Sequence, residues 1–425
     1  MMITDLYDQY LQNPKICTDT RKITLGCLFF ALKGPHFNGN EFAKEALNKG
    51  ASYAIVDDEF YVTDDRYILV KDSLTTLQDL ARFHRNQLKC KILGITGSNG
   101  KTTSKELCLH VLKKKYNTMA TLGNLNNHIG VPLSILSITS DTEIAIIEMG
   151  ANHINEIEFL CGIAKPDYGV ITNVGKAHLE GFGSLEGVLK GKTELYRYLA
   201  TKNAPVFVKD NDYKLIDKIP EECRIIRFGE LKNSNYIIQY NGAQPFVEVL
   251  LNKIQIQSQL IGDYNFDNIA LSIAVGMEFG VESIDIKEGI ESYVSSNNRS
   301  QIKKTNTNTI LLDAYNSNPM SLKKAIQNLE NIKHENKIMI LGDMFELGEE
   351  TNIEHQKIID QCLKSKVSNV FLVGKIFNAI NNSSYTSFDN IENLITLLKT
   401  QSIEDAFVLI KGSRGMKLEQ VVDYL

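Results

Sequence analysis

One ten-residue stretch limits the possible folds more than any other: Gly94-Ile-Thr-Gly-Ser-Asn-Gly-Lys-Thr-Thr103, where an apolar run beginning at Lys91 gives way to a helical pattern. A buried strand that turns straight into a helix is the βα unit of a parallel sheet. Glycines in that turn let backbone N–H groups close on a polyphosphate, and the helix N-terminus adds partial positive charge. Gly97, Ser98, Asn99, Gly100, Thr102 and Thr103 would then line a nucleotide phosphate. Lys101 would reach the β- and γ-phosphates, and the Thr102 hydroxyl would hold Mg²⁺. The spacing is a short T-G-x-N-G-K-T-T form, because Ile95 stands where the longer GxxxxGK[ST] pattern needs glycine. A purely structural glycine turn is the alternative, and it gives no reason for a lysine followed by two threonines.

Length and charge narrow the remainder. With 425 residues, at about 150 per domain, roughly three domains are expected. A net charge of −5, from 46 basic and 51 acidic residues, argues against a protein that binds by neutralising nucleic-acid phosphates. No stretch approaches the ~20 apolar residues of a membrane span. The first residues carry acids where a signal peptide needs basic ones. Seven scattered cysteines without a CxxC pair read as buried small hydrophobes in a reducing compartment. The expectation is a cytoplasmic monomer that is not membrane-embedded and binds no nucleic acid.

The patterning divides the chain at 1–88, 89–296 and 297–425. The first block mixes strand-like runs at 27–32, 53–56 and 67–70 with a helix near 40–49, and a longer helix at 74–88 leads out of it. The second continues the parallel sheet through runs at 144–147 and 168–174, then changes between 205 and 262 to alternating runs that predict an antiparallel excursion, with Asn252-Lys253 at a turn. The third offers strands at 309–312, 337–341, 369–373 and 406–410, each followed by a helix, which implies a small doubly wound α/β domain.

Further polar residues fall where this architecture places ligands. Glu148 ends an apolar strand, where an open α/β sheet makes its ligand contacts, and Mg²⁺ prefers such oxygen donors; a solvated strand end is the bland alternative. His178 is the one histidine of the eight in a comparable setting. Between 185 and 199 the apolar positions form a helical stripe with Lys192 inside it, whereas Lys190 lies about 200° away on the solvated side. Burying an ammonium is costly unless it is paired, neutral or modified; snorkelling is the alternative. Asn265 and Asn268, at i and i+3, share a helix face, and their amides suit an adenine edge as well as helix capping. Arg299 could reach phosphates and Asp313 a ribose hydroxyl, or the two could belong to an ordinary domain-junction salt bridge. Strands of the third block end in Asp313, Asp343, Lys375 and Lys411, so the surface they face is a candidate ligand side.

The short phosphate loop resembles that of the Mur ligase family, the ATP-dependent amino-acid ligases of peptidoglycan precursor synthesis. Asp19-Thr-Arg21, Leu28-Phe-Phe-Ala-Leu-Lys-Gly34 and Asn38-Gly-Asn-Glu-Phe42 are similar to the family's uridine-nucleotide-binding pattern, which implies that Thr20, Asn38, Gly39 and Asn40 meet substrate. Gly123–Pro132 looks like the segment that meets the substrate's sugar–phosphate end, with Asn126 and Asn127 in it. Gly262–Ala270 resembles a G-x-H-N-x-x-N motif with Tyr264 replacing histidine, and Asp313–Pro319 resembles D-S-Y-N-A-N-P, bringing in Tyr315 and Asn316.

The resemblance implies a central ATPase-like domain flanked by an N-terminal uridine-nucleotide domain and a C-terminal Rossmann-like domain. It implies ATP and two Mg²⁺ ions held by Thr102, Glu148, His178 and Lys192. The last would be carbamylated by CO₂, and Lys101, Glu148, His178 and Lys192 would be the catalytic groups. Three segments, Asn124–Asn127, Leu341–Gly348 and Lys411–Met416, are similar to those of the member that adds D-alanyl-D-alanine to UDP-N-acetylmuramoyl-tripeptide through an acyl phosphate. Two rivals remain: another amide ligase of the superfamily, such as a folate-polyglutamate ligase, and a nucleotide-responsive binding module. The uridine-type first block argues against the former. Glu148, His178 and Lys192 near one phosphate loop argue against the latter.

Overall fold

A strand with consecutive apolar residues must be covered on both faces, and the run from Ile92 to Ile95 within Lys91–Thr96 is buried throughout. In the computed structural model, which describes residues 2–367, 369–381 and 385–425, this strand lies inside a seven-stranded sheet. Reading across, the strands are Tyr236–Ile237, Arg224–Gly229, Pro205–Lys209, Tyr168–Ile171, Lys91–Thr96, Ile144–Glu148 and Thr118–Ala120. Every neighbouring pair is parallel. Successive residues face opposite cores: Ile92, Ala145, Ile147 and Val206 enter one, and Leu93, Ile144, Ile146 and Phe207 the other. After Lys91–Thr96 the chain adds strands first on one side of it and then on the other. That strand is therefore the switch point, and the crevice beyond its carboxyl end is where such sheets bind ligands.

The antiparallel excursion is shorter than the alternation predicts. Pro205–Lys209 and Arg224–Gly229 continue the parallel sheet, because the consecutive buried run Val206-Phe-Val208 needs cover on both faces. Only Gln239–Ala243, Phe246–Leu251 and Ile254–Ile261 form an antiparallel sheet. The last two are joined by Asn252-Lys253, both with positive φ (48° and 72°), as a two-residue hairpin turn requires.

The first block is a four-stranded parallel sheet in chain order: Ile16–Cys17, Leu28–Phe30, Tyr53–Val56 and Tyr67–Leu69. The helix Ser73–Gln87 leads out of it and packs on Gly130–Leu136 and Glu156–Ala164. One hydrophobic core runs from Tyr7 and Leu77 through Val131 to Ile147. Polar ties close the same seam, with Tyr10 donating to the Leu136 carbonyl at 2.5 Å and Arg85 reaching Asp167 at 3.0 Å.

The third block holds six strands rather than four: Gln301–Lys304, Thr309–Asp313, Phe407–Lys411, Lys337–Gly342, Asn369–Val373 and Thr386–Phe388. The two additional strands are edges, one polar and antiparallel to its neighbour, the other three residues long. Neither has the apolar run that marks an interior strand. Among the described residues no helix is long and apolar enough to cross a membrane, and all seven cysteines are buried and unpaired.

Candidate active site

The phosphate loop folds as its glycines dictate. Lys91–Thr96 ends, four loop residues follow, and the helix Lys101–Leu112 begins. Gly97 has φ +141° and a Cβ there would lie 2.1 Å from Thr172 Oγ1; Gly100 has φ +80° and its Cβ would lie 2.4 Å from Asn268 Oδ1. Residues 172–173 hold the loop from outside. Asn173 accepts from the Ser98 and Asn99 N–H groups at 2.9 and 3.1 Å, and Thr172 Oγ1 donates to the Asn99 carbonyl at 2.6 Å. The first turn of the helix thus offers the crevice N–H groups that no helical carbonyl can satisfy. Gly97→Ala is expected to weaken ADP binding by at least about tenfold, or ~1.4 kcal/mol. Calorimetric titration tests this, and an affinity within twofold of wild type would show that the loop rearranges freely.

Lys101 Nζ donates to the Gly97 and Ser98 carbonyls at 2.6 and 3.3 Å. Burial lowers its pKa, with Arg299 adding to the effect and Glu148 opposing it. Glu148, 1% exposed, accepts from Thr102 Oγ1 at 2.9 Å and from Asn126 Nδ2 at 2.8 Å. A hydroxyl and a buried carboxylate beside a helix N-terminus are the hard oxygen donors that Mg²⁺ takes alongside phosphate.

The other two expected metal groups, His178 and Lys192, hydrogen-bond to neither Thr102 nor Glu148. Among the described residues no group of three or more His, Cys, Asp or Glu side chains is gathered for a metal. His178 Nδ1 lies 2.5 Å from Glu346 Oε2 of the third block, close enough to pair but not aligned as a hydrogen bond. The imidazole holds the Glu346 carboxyl below the usual range. Lys192 is buried, as the stripe predicts, and Lys190 is exposed. The Lys192 ammonium donates to the Ala151 carbonyl at 3.1 Å and lies 5.3 Å from the Phe182 ring centre, so it does not snorkel. Burial, with the charge of Lys101 second, depresses its pKa strongly.

The helix expected over 185–199 breaks at Thr193 into Leu185–Lys192 and Glu194–Ala200. Thr193 Oγ1 bonds back to the Leu189 carbonyl at 2.9 Å, a habit that bends helices. Glu194 meanwhile accepts from the Asn155 and Glu158 N–H groups at 2.7 and 3.0 Å. Leu185, at the start of the stripe, is exposed.

Glu148, His178 and the phosphate loop open on one crevice of about 870 Å³, shared with Asn124, Asn126 and Asn127, and with Arg299, Asp313, Tyr315, Asn316 and Lys411 of the third block. Asn99 Nδ2 is buried there with no hydrogen-bond partner among the described residues, while its Oδ1 accepts from Asn318 at 2.7 Å. Asn265 and Asn268 line the same crevice but do not cap their helix. Asn265 donates to the Ile261 carbonyl and accepts from Asn268, both at 2.9 Å, while Asn268 accepts from Ser104 at 3.0 Å. The pair thus supports the phosphate loop from behind. Tyr264 donates to or accepts from Ser300 at 3.0 Å, and burial raises its phenol pKa. Arg299 and Asp313 form no salt bridge with each other. The Arg299 guanidinium lies 3.5 Å over the Tyr315 ring, and Asp313 pairs with Lys411 at 2.5 Å and accepts from the Ser300 N–H at 3.1 Å. Asp343 is instead a helix cap, accepting from the Ile376 and Phe377 N–H groups, so only two of the four polar strand ends face the crevice.

Thr20, Asn38, Gly39 and Asn40 lie outside the crevice lining, in the first block. Asn40 is fully buried, with its amide donating to Asn38 and Asp57, both at 2.8 Å, and a Cβ on Gly39 would lie 2.2 Å from the Leu32 carbonyl. This segment is locked by its own bonds. Three contributors were not singled out from the sequence: Asn173, Glu346 and Lys105. Lys105 alone carried a signal, since it shares the helical stripe of Cys108 and Leu112, the pattern that marks Lys192.

Comparison with known proteins finds similarity over nearly the whole chain. Three family models match: "Mur ligase family, catalytic domain" at residues 15–85, "Mur ligase middle domain" at 95–276 and "Mur ligase, glutamate ligase domain" at 298–414. The UDP-N-acetylmuramoyl-tripeptide–D-alanyl-D-alanine ligase of Bacillus subtilis is 32% identical over 424 residues, covering 96% of this chain and 92% of the relative. The ligase of the same description from Escherichia coli is 32% identical over 437 residues, with coverage of 99% and 96%. Among solved structures, the MurF ligase of Thermotoga maritima in complex with ADP superposes with a TM-score of 0.84 at 28% identity, covering 96% of each chain. A MurF crystal structure from Acinetobacter baumannii gives 0.84 at 27%, covering 96% of this chain and 92% of that one.

Proposed function

The chain belongs to the Mur ligase family, and we propose how the groups around its crevice carry out amide formation. It is an ATP-dependent ligase that joins D-alanyl-D-alanine to UDP-N-acetylmuramoyl-tripeptide in peptidoglycan precursor synthesis. One observation carries the mechanistic reading: the phosphate loop, the Asn124–Asn127 loop and the third block's Arg299 and Tyr315 share a single crevice, so nucleotide, acceptor and amine can meet there.

A carboxylate is a poor electrophile. Transfer of the ATP γ-phosphoryl group to the peptide's terminal carboxylate gives an acyl phosphate with a good leaving group. Lys101 and the loop N–H groups neutralise the charge of the phosphates as the two anions approach. Thr102 and Glu148 would hold one Mg²⁺, and His178 with a carbamate on Lys192 a second; such ions supply charge neutralisation at the phosphoryl oxygens. Arg299 adds a further positive group on the third-block side. The D-alanyl-D-alanine amine then attacks the acyl carbon and expels phosphate. The third block covers the site through Lys176 to Glu354 at 2.9 Å and Asn318 to Asn99 Oδ1 at 2.7 Å, which aligns the reactants and keeps water from the acyl phosphate. We assign Asn265 and Asn268, which line the crevice and brace the loop helix through Ser104, to the adenine end of the nucleotide.

In the division 1–88, 89–296 and 297–425, we assign substrate binding to Thr20, Asn38, Asn126 and Asn127, with Gly39 and the buried Asn40 shaping the first-block segment from within, and amine-side contacts to Tyr315 and Asn316. Seven buried free thiols support a cytoplasmic, reducing address, and we take the enzyme to act as a monomer. Phosphate release from ATP and Mg²⁺ with UDP-N-acetylmuramoyl-tripeptide, with and without D-alanyl-D-alanine, tests the reading. The expected result is release that needs both substrates and a pentapeptide product by mass. Release indifferent to the dipeptide would overturn the third-block role, and no release would leave a nucleotide-binding module.

A further inference from the structure

Among the described residues Lys105, Lys192 and Lys411 are fully buried lysines; Lys192 is taken up by the reaction above and Lys411 by its pair with Asp313, which leaves Lys105 without a role. It sits one turn into the phosphate-loop helix with no exposed side-chain surface. Its ammonium donates to the Thr121 carbonyl, lies 3.5 Å from the Gly123 carbonyl and pairs with Glu106 at 2.9 Å. Burying an ammonium is costly, and simple packing of the helix on the sheet would be served by an apolar residue.

What Lys105 holds is the start of the loop that reaches the acceptor side. Thr121 leaves the edge strand with its hydroxyl accepting from the Glu148 N–H at 3.0 Å. Asn126 then donates to the Glu148 carboxylate and accepts from the Gly150 N–H at 2.7 Å. At the far end the His128 carbonyl accepts from Gln78 of the first block at 3.0 Å. The loop is therefore clamped at one end by the nucleotide helix and at the other by the first block, with the crevice between.

We propose that Lys105 is a positioning residue that docks the 121–128 loop on the nucleotide helix, so that Asn126 fixes Glu148 and the acceptor substrate meets a preformed wall. The inference rests on the ligase reading. It predicts a split: the nucleotide site, built by residues 97–103, does not need the loop, whereas the acceptor site does.

The test is Lys105→Met, alone and combined with Asn126→Ala, in the full chain. For Lys105→Met the KM for UDP-N-acetylmuramoyl-tripeptide should rise about tenfold while ADP affinity stays within twofold of wild type. Because Lys105 acts through Asn126, the double variant should be no worse than Asn126→Ala alone. Glu106→Gln, which removes only the partly exposed partner, should leave both constants unchanged. An unaltered KM in Lys105→Met, additive losses in the double variant, or loss of folding or ADP binding would each overturn the proposal, the last by placing Lys105 in the general scaffold. An inactive wild type would instead refute the ligase reading.

Discussion

Lys192→Ala is expected to lower the ligation rate by roughly 10²- to 10³-fold, the scale seen when a preorganised charged or hydrogen-bonding group is removed from a transition state. The residue is 2% exposed and its hydrogen bond to the Ala151 carbonyl leaves the charge uncompensated. The two carboxylates whose charge reaches it, Glu156 and Glu194, are engaged elsewhere. Glu156 accepts from the Asn152 and His153 N–H groups, and Glu194 caps the helix Glu156–Ala164. Burial and the nearby Lys101 charge lower the amine's pKa, which favours the neutral form. Only a neutral amine adds CO₂: the nitrogen attacks the carbon, loses a proton to solvent and becomes a carbamate anion. A carbamate on Lys192 would place there an anion that the nearby Lys101 charge attracts. Two measurements follow. Wild-type activity should fall in CO₂-stripped buffer and return with bicarbonate, and formate or acetate should restore part of the Lys192→Ala rate by filling the vacated anion position. Full activity of Lys192→Ala without any added carboxylate would end the carbamate reading.

The elements that the sequence disclosed are those whose physics is local. Strands such as Lys91–Thr96, Lys337–Gly342 and Asn369–Val373 announce themselves by consecutive apolar residues, and the phosphate loop by glycines that only one backbone path accommodates. Lys192 was legible because a charge inside an apolar stripe violates a periodic pattern. The edge strands Gln301–Lys304 and Thr386–Phe388 were not, because an edge needs no apolar run. The parallel continuation through Pro205–Lys209 was hidden by the alternating strands after it. Glu346 was beyond reach for a different reason. Nothing local to it predicts that the loop after Lys337–Gly342 docks on His178; that contact exists only once two sheets are brought together. Asn40 shows the opposite case, a motif residue whose side chain is taken up inside its own block.

Glu148→Gln separates a metal-holding carboxylate from a structural acceptor, and kcat is expected to fall by roughly 10²- to 10³-fold while the fold survives. The present partners of Glu148 are both donors, Thr102 Oγ1 and Asn126 Nδ2. A glutamine keeps one carbonyl oxygen for one of them, and the Thr102 hydroxyl can rotate to accept from the new amide. The stability cost should therefore be about one neutral hydrogen bond, roughly 1 kcal/mol, a shift of a few degrees in Tm at most. What the substitution removes outright is the negative charge at a buried position facing the phosphate loop. If Glu148 holds Mg²⁺ against the nucleotide, ADP binding without the metal should be nearly unchanged in the variant, and the Mg²⁺ concentration for half-maximal rate should rise at least tenfold. The alternative role, an anchor for Thr102 and Asn126 only, predicts a different outcome: unchanged Mg²⁺ dependence, a kcat within a few-fold of wild type, and a loss confined to Tm.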